Sequence, residues 1–325
     1  MKNKFLIIVL GEPNSISSEI IFKSWSSFKK KNYIQPILIA NKNNLTAQMK
    51  YLNFKYKLVN FNEKNYKLKY KSSEIPIIDI HLQQKKTFKK ISKKSNLFIN
   101  ESFNTALRLI KKKKFIGIIN GPIKKETFLN KEYNGITEFI SKKLSKSNDE
   151  VMLIYNKILS VCPITTHIPL RKVSNEITVN KIVNKILIID KFYRNKFNKK
   201  IKFAILGLNP HCNSNLKFSE EEKIIKPAIN YIIKKKINVD GPFSADSFFV
   251  KENIDKYDVV IGMYHDQVLT PVKTLFGFNS INITLGIPII RISPDHGVGE
   301  KITGKNVANP ASLIEAFNFF KTIKC

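Results

Sequence analysis

Cysteine is scarce in this chain. There are three, Cys162, Cys212 and Cys325, and no CxxC pair among them. An odd, unpaired set argues against a disulfide framework and fits a reducing compartment. Long apolar runs are also missing. The N-terminal run Phe5-Leu6-Ile7-Ile8-Val9-Leu10 falls well short of the ~20 residues a membrane span needs. Gly11-Glu12-Pro13 ends it without a small-residue cleavage site, so it reads as a buried first strand and not as a signal peptide. These absences point to a cytoplasmic protein with no membrane partner. No strand is followed by GxGxxG, and no Walker A motif occurs, which removes the Rossmann and P-loop fingerprints.

Acidic residues are few: 25 Asp and Glu against 56 Lys and Arg, a formal net charge of +31. Such an excess can mark a nucleic-acid surface. Here the lysines are spread through helices and loops, Asn and Ile are abundant everywhere, and arginine is rare. That pattern fits compositional drift. No RNP-like, zinc-finger or basic-zipper pattern accompanies the charge. The lysine runs at residues 111–114 and 234–236 close predicted helices, where they complement the helix dipole. A nucleic-acid-binding protein is the alternative from another class. It predicts strongly salt-dependent DNA or RNA binding and gives no reason for the histidine motifs below. A basic surface also helps attract a phosphorylated substrate.

What is present is a regular alternation of apolar runs and amphipathic segments over 325 residues, enough for one large domain or two. Strands are expected at residues 5–10, 35–40, 56–59, 75–80, 115–120, 202–206, 257–261, 281–284 and 288–292. Residues 151–154 and 158–162 are expected to pair as a hairpin. Helices are expected from Ser15 or Ser17, as cap, to about residue 30, and at 45–51, 96–113, 124–129, 137–144, 178–197, 220–236 and 311–321. Residues 62–73 read as a surface excursion, and Asp240-Gly241-Pro242 as a turn. Strands alternating with helices argue for an α/β sheet with helices on both faces.

The chemistry centres on Met263-Tyr264-His265-Asp266-Gln267, which follows an apolar run closed by Gly262. Ligands of α/β folds bind outside the carboxyl ends of the strands. Of the five histidines, His167, His211 and His296 also sit at apparent strand ends. Three neutral imidazoles, His167, His211 and His265, suit a divalent transition ion with open positions for substrate. No HxH or HExxH links them, so on spacing alone isolated loop histidines are the stronger reading. Asp246 and Asp266 are acidic candidates for ligand, orienting partner or base. Acidic residues in loops are more often solvated than catalytic. Lys273, Asn282 and Arg291 are candidate anion binders. A polar or cationic residue inside a short apolar strand is costly unless paired. Arg291 is one of four arginines in a chain that otherwise uses lysine, which suggests a need for the planar fork on phosphate or carboxylate. A structural salt bridge is the competing explanation.

Six ordered motifs carry a family resemblance across nearly the whole chain. They are Thr166-His167-Ile168-Pro169-Leu170-Arg171, Gly207-Leu208-Asn209-Pro210-His211, Gly241-Pro242 with Ala245-Asp246, Met263-Tyr264-His265-Asp266-Gln267, Asn282-Ile283-Thr284-Leu285-Gly286 and Asp295-His296-Gly297. On these the chain resembles the 4-hydroxythreonine-4-phosphate dehydrogenase (PdxA) family of pyridoxal phosphate synthesis. The resemblance implies one divalent metal ion (zinc, magnesium or cobalt) on His167, His211 and His265. It implies substrate binding by Thr137, Lys273, Asn282 and Arg291, with Lys125 and Asp246 as catalytic carry-overs. The segment from Asp295-His296-Gly297 to Pro310 is similar to the cofactor loop of the isocitrate and isopropylmalate dehydrogenases, which bind NAD or NADP without a Rossmann fingerprint.

The implied fold is an α/β/α structure of two interleaved subdomains, with the active-site cleft between them and residues 1–325 forming one catalytic unit. The implied assembly is a homodimer whose active site draws on both chains, with His265 completing the partner's His167 and His211. The implied reaction is oxidation and decarboxylation of a small phosphorylated amino acid. Threonate or erythronate 4-phosphate is the alternative substrate, and a member that binds substrate but turns over poorly is a further alternative. Departures from the family pattern are local. Ile136 stands where His is usual, so one side-chain hydrogen bond to substrate is gone. Ser15 and Ser17 replace two glycines, Lys124 replaces Asn or His, and Val298-Gly299 replaces Thr-Ala.

Overall fold

The structure of the protein, a computed structural model, describes residues 4–29, 34–63, 70–84, 86–129, 135–144, 150–212, 218–277 and 279–323. Residues 64–69 of the expected excursion, and Cys325, lie outside the described residues. Twelve strands follow the described chain: β1 (Lys4–Val9), β2 (Ile34–Ala40), β3 (Lys57–Asn60), β4 (Glu74–Asp79), β5 (Phe115–Asn120), β6 (Val151–Tyr155), β7 (Ser160–Thr165), β8 (Lys202–Leu206), β9 (Asn238–Phe243), β10 (Val259–Tyr264), β11 (Ile281–Leu285) and β12 (Arg291–Pro294). The chain divides into two compact units, one of Met1–Asn148 with Ile287–Thr322, the other of Asp149–Gly286 with Ile323–Cys325. Among the described residues no helix is long and apolar enough to cross a membrane.

In the first unit the strand order is β3-β4-β2-β1-β5-β12, and the pairs are parallel. Parallel strands need both faces covered, and the sequences show it: every residue of β1 after Lys4 is buried. The helix Asn96–Leu109 packs on β1 and β2, and the helix Ala311–Thr322 packs on β5 and β12. Aromatic rings fill the layers between. Phe5 meets Phe61 and Phe115 at 5.5 Å, and Phe28 meets Phe317 at 4.5 Å. Fully buried Trp25 ties the helix Ser17–Trp25 to the sheet by donating its indole N–H to the Glu74 carbonyl at 3.0 Å.

In the second unit the order is β11-β6-β7-β10-β8-β9. The expected hairpin is present as the antiparallel pair β6–β7, and β11 also runs antiparallel to β6. The next three pairings, β7–β10, β10–β8 and β8–β9, are parallel. Four contiguous strands therefore send their carboxyl ends to one edge. Their apolar residues and the helix His265–Phe276 form one core through Leu159, Val161, Ala204, Leu206, Val260 and Val268.

Several expectations need correction. Asp240-Gly241-Pro242 is not a turn: it lies within β9, where Leu206 and Phe243 pair across an irregularity in register. The strand expected to close at Gly262 continues to Tyr264, because a Cβ at 262 would meet Val268 Cγ1 at 2.4 Å and the glycine lets the following helix fold back close. Neither Ser15 nor Ser17 occupies the N-cap position of the first helix. Ile16 holds that place without a side-chain cap, while the Ser15 hydroxyl bonds the Glu12 carbonyl at 2.6 Å. The helix expected at 96–113 stops at Leu109, and the one expected at 220–236 opens with a π-helical turn, Glu221–Ile225. The strand expected at 288–292 begins at Arg291.

Close backbone approach, and not positive φ, explains Gly121 after β5. A Cβ there would lie 2.1 Å from the Leu10 carbonyl oxygen, and backbone cannot give way cheaply. Gly121→Ala is expected to lower unfolding free energy by about 1–3 kcal/mol. Gly297→Ala, with nothing within 4 Å of its Cβ position, should change it by less than about 0.5 kcal/mol. Chemical denaturation of the two variants side by side checks this, and equal stabilities would contradict the packing argument.

Candidate active site

The histidines of the second unit take their positions from strand register. Thr165 at the end of β7 pairs with Tyr264 at the end of β10, so the residues that follow, His167 and His265, leave the sheet side by side. Their ring centroids lie 5.5 Å apart. β8 flanks β10 on its other side, and the segment after it carries His211; β9 flanks β8, and the short helix Ala245–Phe248 after it carries Asp246. All four candidates thus sit on one edge of four adjacent parallel strands. Within the single chain, no group of three or more His, Cys, Asp or Glu side chains among the described residues could hold a metal ion.

Local chemistry prepares His265 for ligation. It is the first residue of its helix, directly after the end of β10. Its Nδ1 lies 2.7 Å from Asp266 Oδ1. With the proton on Nδ1 and shared with that carboxylate, the Nε2 lone pair is left for a ligand. Of the roles open to Asp266, ligand, orienting partner or base, this geometry is that of an orienting partner. The donor set, neutral imidazoles next to a carboxylate, fits a borderline-soft divalent ion.

His211 is exposed and adopts a left-handed conformation, φ 56°, as does Cys212 at 52°. Consecutive non-glycine residues in this region cost of order 1–3 kcal/mol each and persist only where surroundings enforce them. The enforcement comes from a residue the motif reading passed over. Glu221 is fully buried; its Oε1 accepts from the backbone N–H groups of Leu208 and Asn209, both at 2.8 Å, and its Oε2 accepts from Asn209 Nδ2 at 2.9 Å. Burial works to raise its pKa, but the hydrogen bonds from Asn209 and Leu208 outweigh it and hold the carboxyl below the ordinary glutamate range. Gln267 makes a second tie, accepting from Met263 N–H at 2.6 Å and donating to the Gly207 carbonyl at 2.7 Å. Both residues were hidden in the sequence, Glu221 among three consecutive glutamates and Gln267 behind the histidine before it.

Asp246 is exposed, and the Ser244 hydroxyl, together with nearby His211, holds its carboxyl below the usual range. Lys273 is exposed on the helix after His265. Asn282 lies on β11, half-buried, and its Oδ1 has no hydrogen-bond partner among the described residues. Cys212 is half-buried rather than fully buried, with its sulfur packed where a Cβ on Gly207 would sit.

In the first unit the structure joins two sequence candidates and adds a third residue. Arg291, on β12, is fully buried, donates from Nη1 to Thr137 Oγ1 at 3.1 Å and from Nε to Asn120 Oδ1 at 2.6 Å. Asn120 and Thr137 are neutral, so these two bonds position the guanidinium without cancelling its charge. Burial pushes the guanidinium down to about 9. A cation held this way is favoured by an incoming anion. Asn120 ends the apolar strand β5 just before Gly121-Pro122, the only signal in the sequence that singled it out. Lys125 is exposed at the start of a short helix, and Ile136 opens the helix that carries Thr137.

The segment that follows β12 is braced from behind. Ile16 N–H donates to the Val298 carbonyl at 3.1 Å, and buried Glu19 accepts from the Ala308 N–H. Lys23 donates to the carbonyls of Asn306 and Ala308 at 2.9 and 3.0 Å. Asp295 is fixed through its backbone N–H to Ser312 Oγ at 2.8 Å. Burial lowers the His296 pKa, which keeps its ring neutral near pH 7, and Gly297 is exposed.

Comparison with known proteins identifies the family. Residues 32–320 match the family described as the pyridoxal phosphate biosynthetic protein PdxA. A 4-hydroxythreonine-4-phosphate dehydrogenase of Sulfurihydrogenibium sp. is 35% identical over 96% of this chain and 95% of its own. A protein of Oceanobacillus iheyensis with the provisional name D-threonate 4-phosphate dehydrogenase is 31% identical over 98% of this chain and 97% of its own. The crystal structure of 4-hydroxythreonine-4-phosphate dehydrogenase from Klebsiella pneumoniae superposes with a TM-score of 0.82 at 26% identity, covering 97% of this chain and 98% of that one. A β-decarboxylating dehydrogenase from Thermococcus kodakarensis shares the fold alone, at a TM-score of 0.50 and 11% identity over 98% of this chain and 84% of that one. By the extent of the family match and of these near-full-length likenesses, the chain belongs to the PdxA family.

Proposed function

We propose that this chain oxidises 4-phosphooxy-L-threonine at C3, with NAD or NADP as hydride acceptor, to 2-amino-3-oxo-4-phosphooxybutanoate. That β-keto acid loses CO2 to give 3-amino-2-oxopropyl phosphate, on the way to pyridoxine 5'-phosphate. The near-full-length likeness to relatives named for this dehydrogenase carries the reading. The histidine edge of the second unit and the buried arginine of the first support it.

In this reading His167, His211 and His265 hold one divalent ion, and three imidazoles suit zinc or cobalt better than magnesium. Such an ion, when bound there, would supply Lewis acidity for the alcohol oxidation and for the loss of CO2. Asp266 keeps the His265 proton on Nδ1. Arg291 and Thr137, with Lys273 and Asn282, bind the phosphate and carboxylate, a remote anchor whose binding energy fixes the reacting carbon. Asp295, neutral His296 and Gly297 receive the nicotinamide nucleotide. Asp246, ionised at neutral pH, takes the hydroxyl proton, with Lys125 as the other candidate. The two units act as one catalytic unit, in the cytoplasm and without a nucleic-acid partner, and the active site is shared across a homodimer.

A second substrate has specific support. Ile136 removes a hydrogen-bonding side chain, and the Oceanobacillus iheyensis relative is named for D-threonate 4-phosphate. That substrate has a hydroxyl where the amino acid has its amine.

His211→Ala is expected to reduce metal-dependent NAD(P) reduction to background, and unchanged turnover would sink the scheme. Mixing refolded His211→Ala and His265→Ala chains should restore activity if the site is shared, since the hybrid dimer keeps one intact set. No recovery would assign all three ligands to one chain. Arg291→Lys should raise the KM for the phosphorylated substrate about tenfold, equivalent to ~1.4 kcal/mol, because one ammonium cannot both hold Asn120 and Thr137 and clamp an anion; KM at the wild-type level would make Arg291 purely structural. Assaying 4-phosphooxy-L-threonine, threonate 4-phosphate and erythronate 4-phosphate side by side decides the substrate. Ile136→His is expected to favour the amino acid, and a larger kcat/KM for threonate 4-phosphate in the unaltered chain would select the second reading.

A further inference from the structure

We infer that Glu221 is a positioning residue for metal binding: its buried carboxylate holds the Leu208–Asn209 backbone so that the following turn presents His211. The inference rests on the metal reading above and deepens it.

The argument is one of donors and acceptors. Leu208 and Asn209 turn their N–H groups away from the strand ladder and onto one carboxylate oxygen, each at 2.8 Å, while Asn209 Nδ2 takes the other at 2.9 Å. Asn209 Nδ2 also donates to Glu220 Oε2 at 2.9 Å, and the Asn209 carbonyl accepts from Cys212 N–H at 3.1 Å. His211 lies inside that closed turn, between a clamped Asn209 and a bonded Cys212. Its left-handed φ of 56°, uncommon for any non-glycine residue, sits between these two fixed points, and Cys212 follows in the same conformation. Space enforces the same arrangement: a Cβ on Gly207 would meet Cys212 Sγ at 2.7 Å and Glu221 Oε1 at 3.2 Å.

The π-helical turn that begins at Glu221 serves the clamp. A single extra residue in a helical turn shifts the phase of the side chains, and such turns recur at functional sites. Here the turn directs Glu221 inward to the loop while Glu222 points to Lys226 on the surface. Gln267 completes the frame. By joining Met263 N–H to the Gly207 carbonyl it fixes the start of the His211 loop to the end of the strand that precedes His265. Two histidines, one in the turn after β8 and one at the start of a helix, are thereby set by one hydrogen-bonded frame that none of the ligands belongs to.

The test is cobalt binding to the purified full chain, followed by the visible absorption of the bound ion and by competition with a chelating dye. Glu221→Ala should weaken Co²⁺ binding roughly 10–100-fold, the usual cost of losing an outer partner, and change the spectrum. Glu221→Gln keeps one oxygen for the two backbone N–H groups but sets an amide N–H2 against Asn209 Nδ2. Its affinity should fall between those of Glu221→Ala and the unaltered chain, with the fold retained. Circular dichroism and thermal unfolding establish which variants fold, and the glutamine variant carries the test if the alanine variant does not. Unaltered affinity and spectrum in either folded variant, while His211→Ala loses binding, overturns the role of Glu221. Unaltered binding in His211→Ala overturns the metal reading itself.

Discussion

Register between parallel strands is the constraint on which the second unit's chemistry depends. β7, β10, β8 and β9 lie next to one another in the same direction, and the pairing of Thr165 with Tyr264 sets two of their ends level. Side chains separated by about a hundred residues of sequence are thereby delivered to one edge. The dense apolar core beneath that edge, with strands buried on both faces, makes register expensive to change, since a slip by one residue would turn every side chain to the wrong face. The loops above it can then carry exposed, strained and polar residues without loss of the fold.

The two units answer different electrostatic demands. In the first, Arg291 is buried completely and oriented by hydrogen bonds to Asn120 and Thr137. In the second, imidazoles are exposed or half-buried, and carboxylates are used to orient: Asp266 on the His265 ring, Glu221 on the backbone before His211. The +31 net charge plays no part in either local arrangement. A few lysines of the described surface pair locally with carboxylates, such as Lys181 with Glu176 and Lys112 with Glu63. Pairs of this exposed kind contribute little to stability.

The strands and long helices were legible because their signals are local. Buried parallel strands read as continuous apolar runs, and the helix Val179–Phe197 announces itself with Thr178 as N-cap. The misreadings cluster where a local rule met a tertiary contact. Gly241-Pro242 has the composition of a turn, yet β8 recruits it into an edge strand. Gly262 has the look of a strand terminus, yet it is small because Val268 and Gln267 press against it.

The sequence by itself determined the α/β class, most element positions, the family and the identity of the candidate ligands, because apolar periodicity and ordered motifs are properties of the chain taken in order. Tertiary structure alone decided which candidates meet: His167 with His265, and Arg291 with Thr137 and Asn120. It alone decided, too, that Glu221, rather than either neighbouring glutamate, supports the His211 turn. Those outcomes depend on strand register and on the direction of a buried side chain. Both are settled by packing between segments far apart in sequence, which no local pattern encodes.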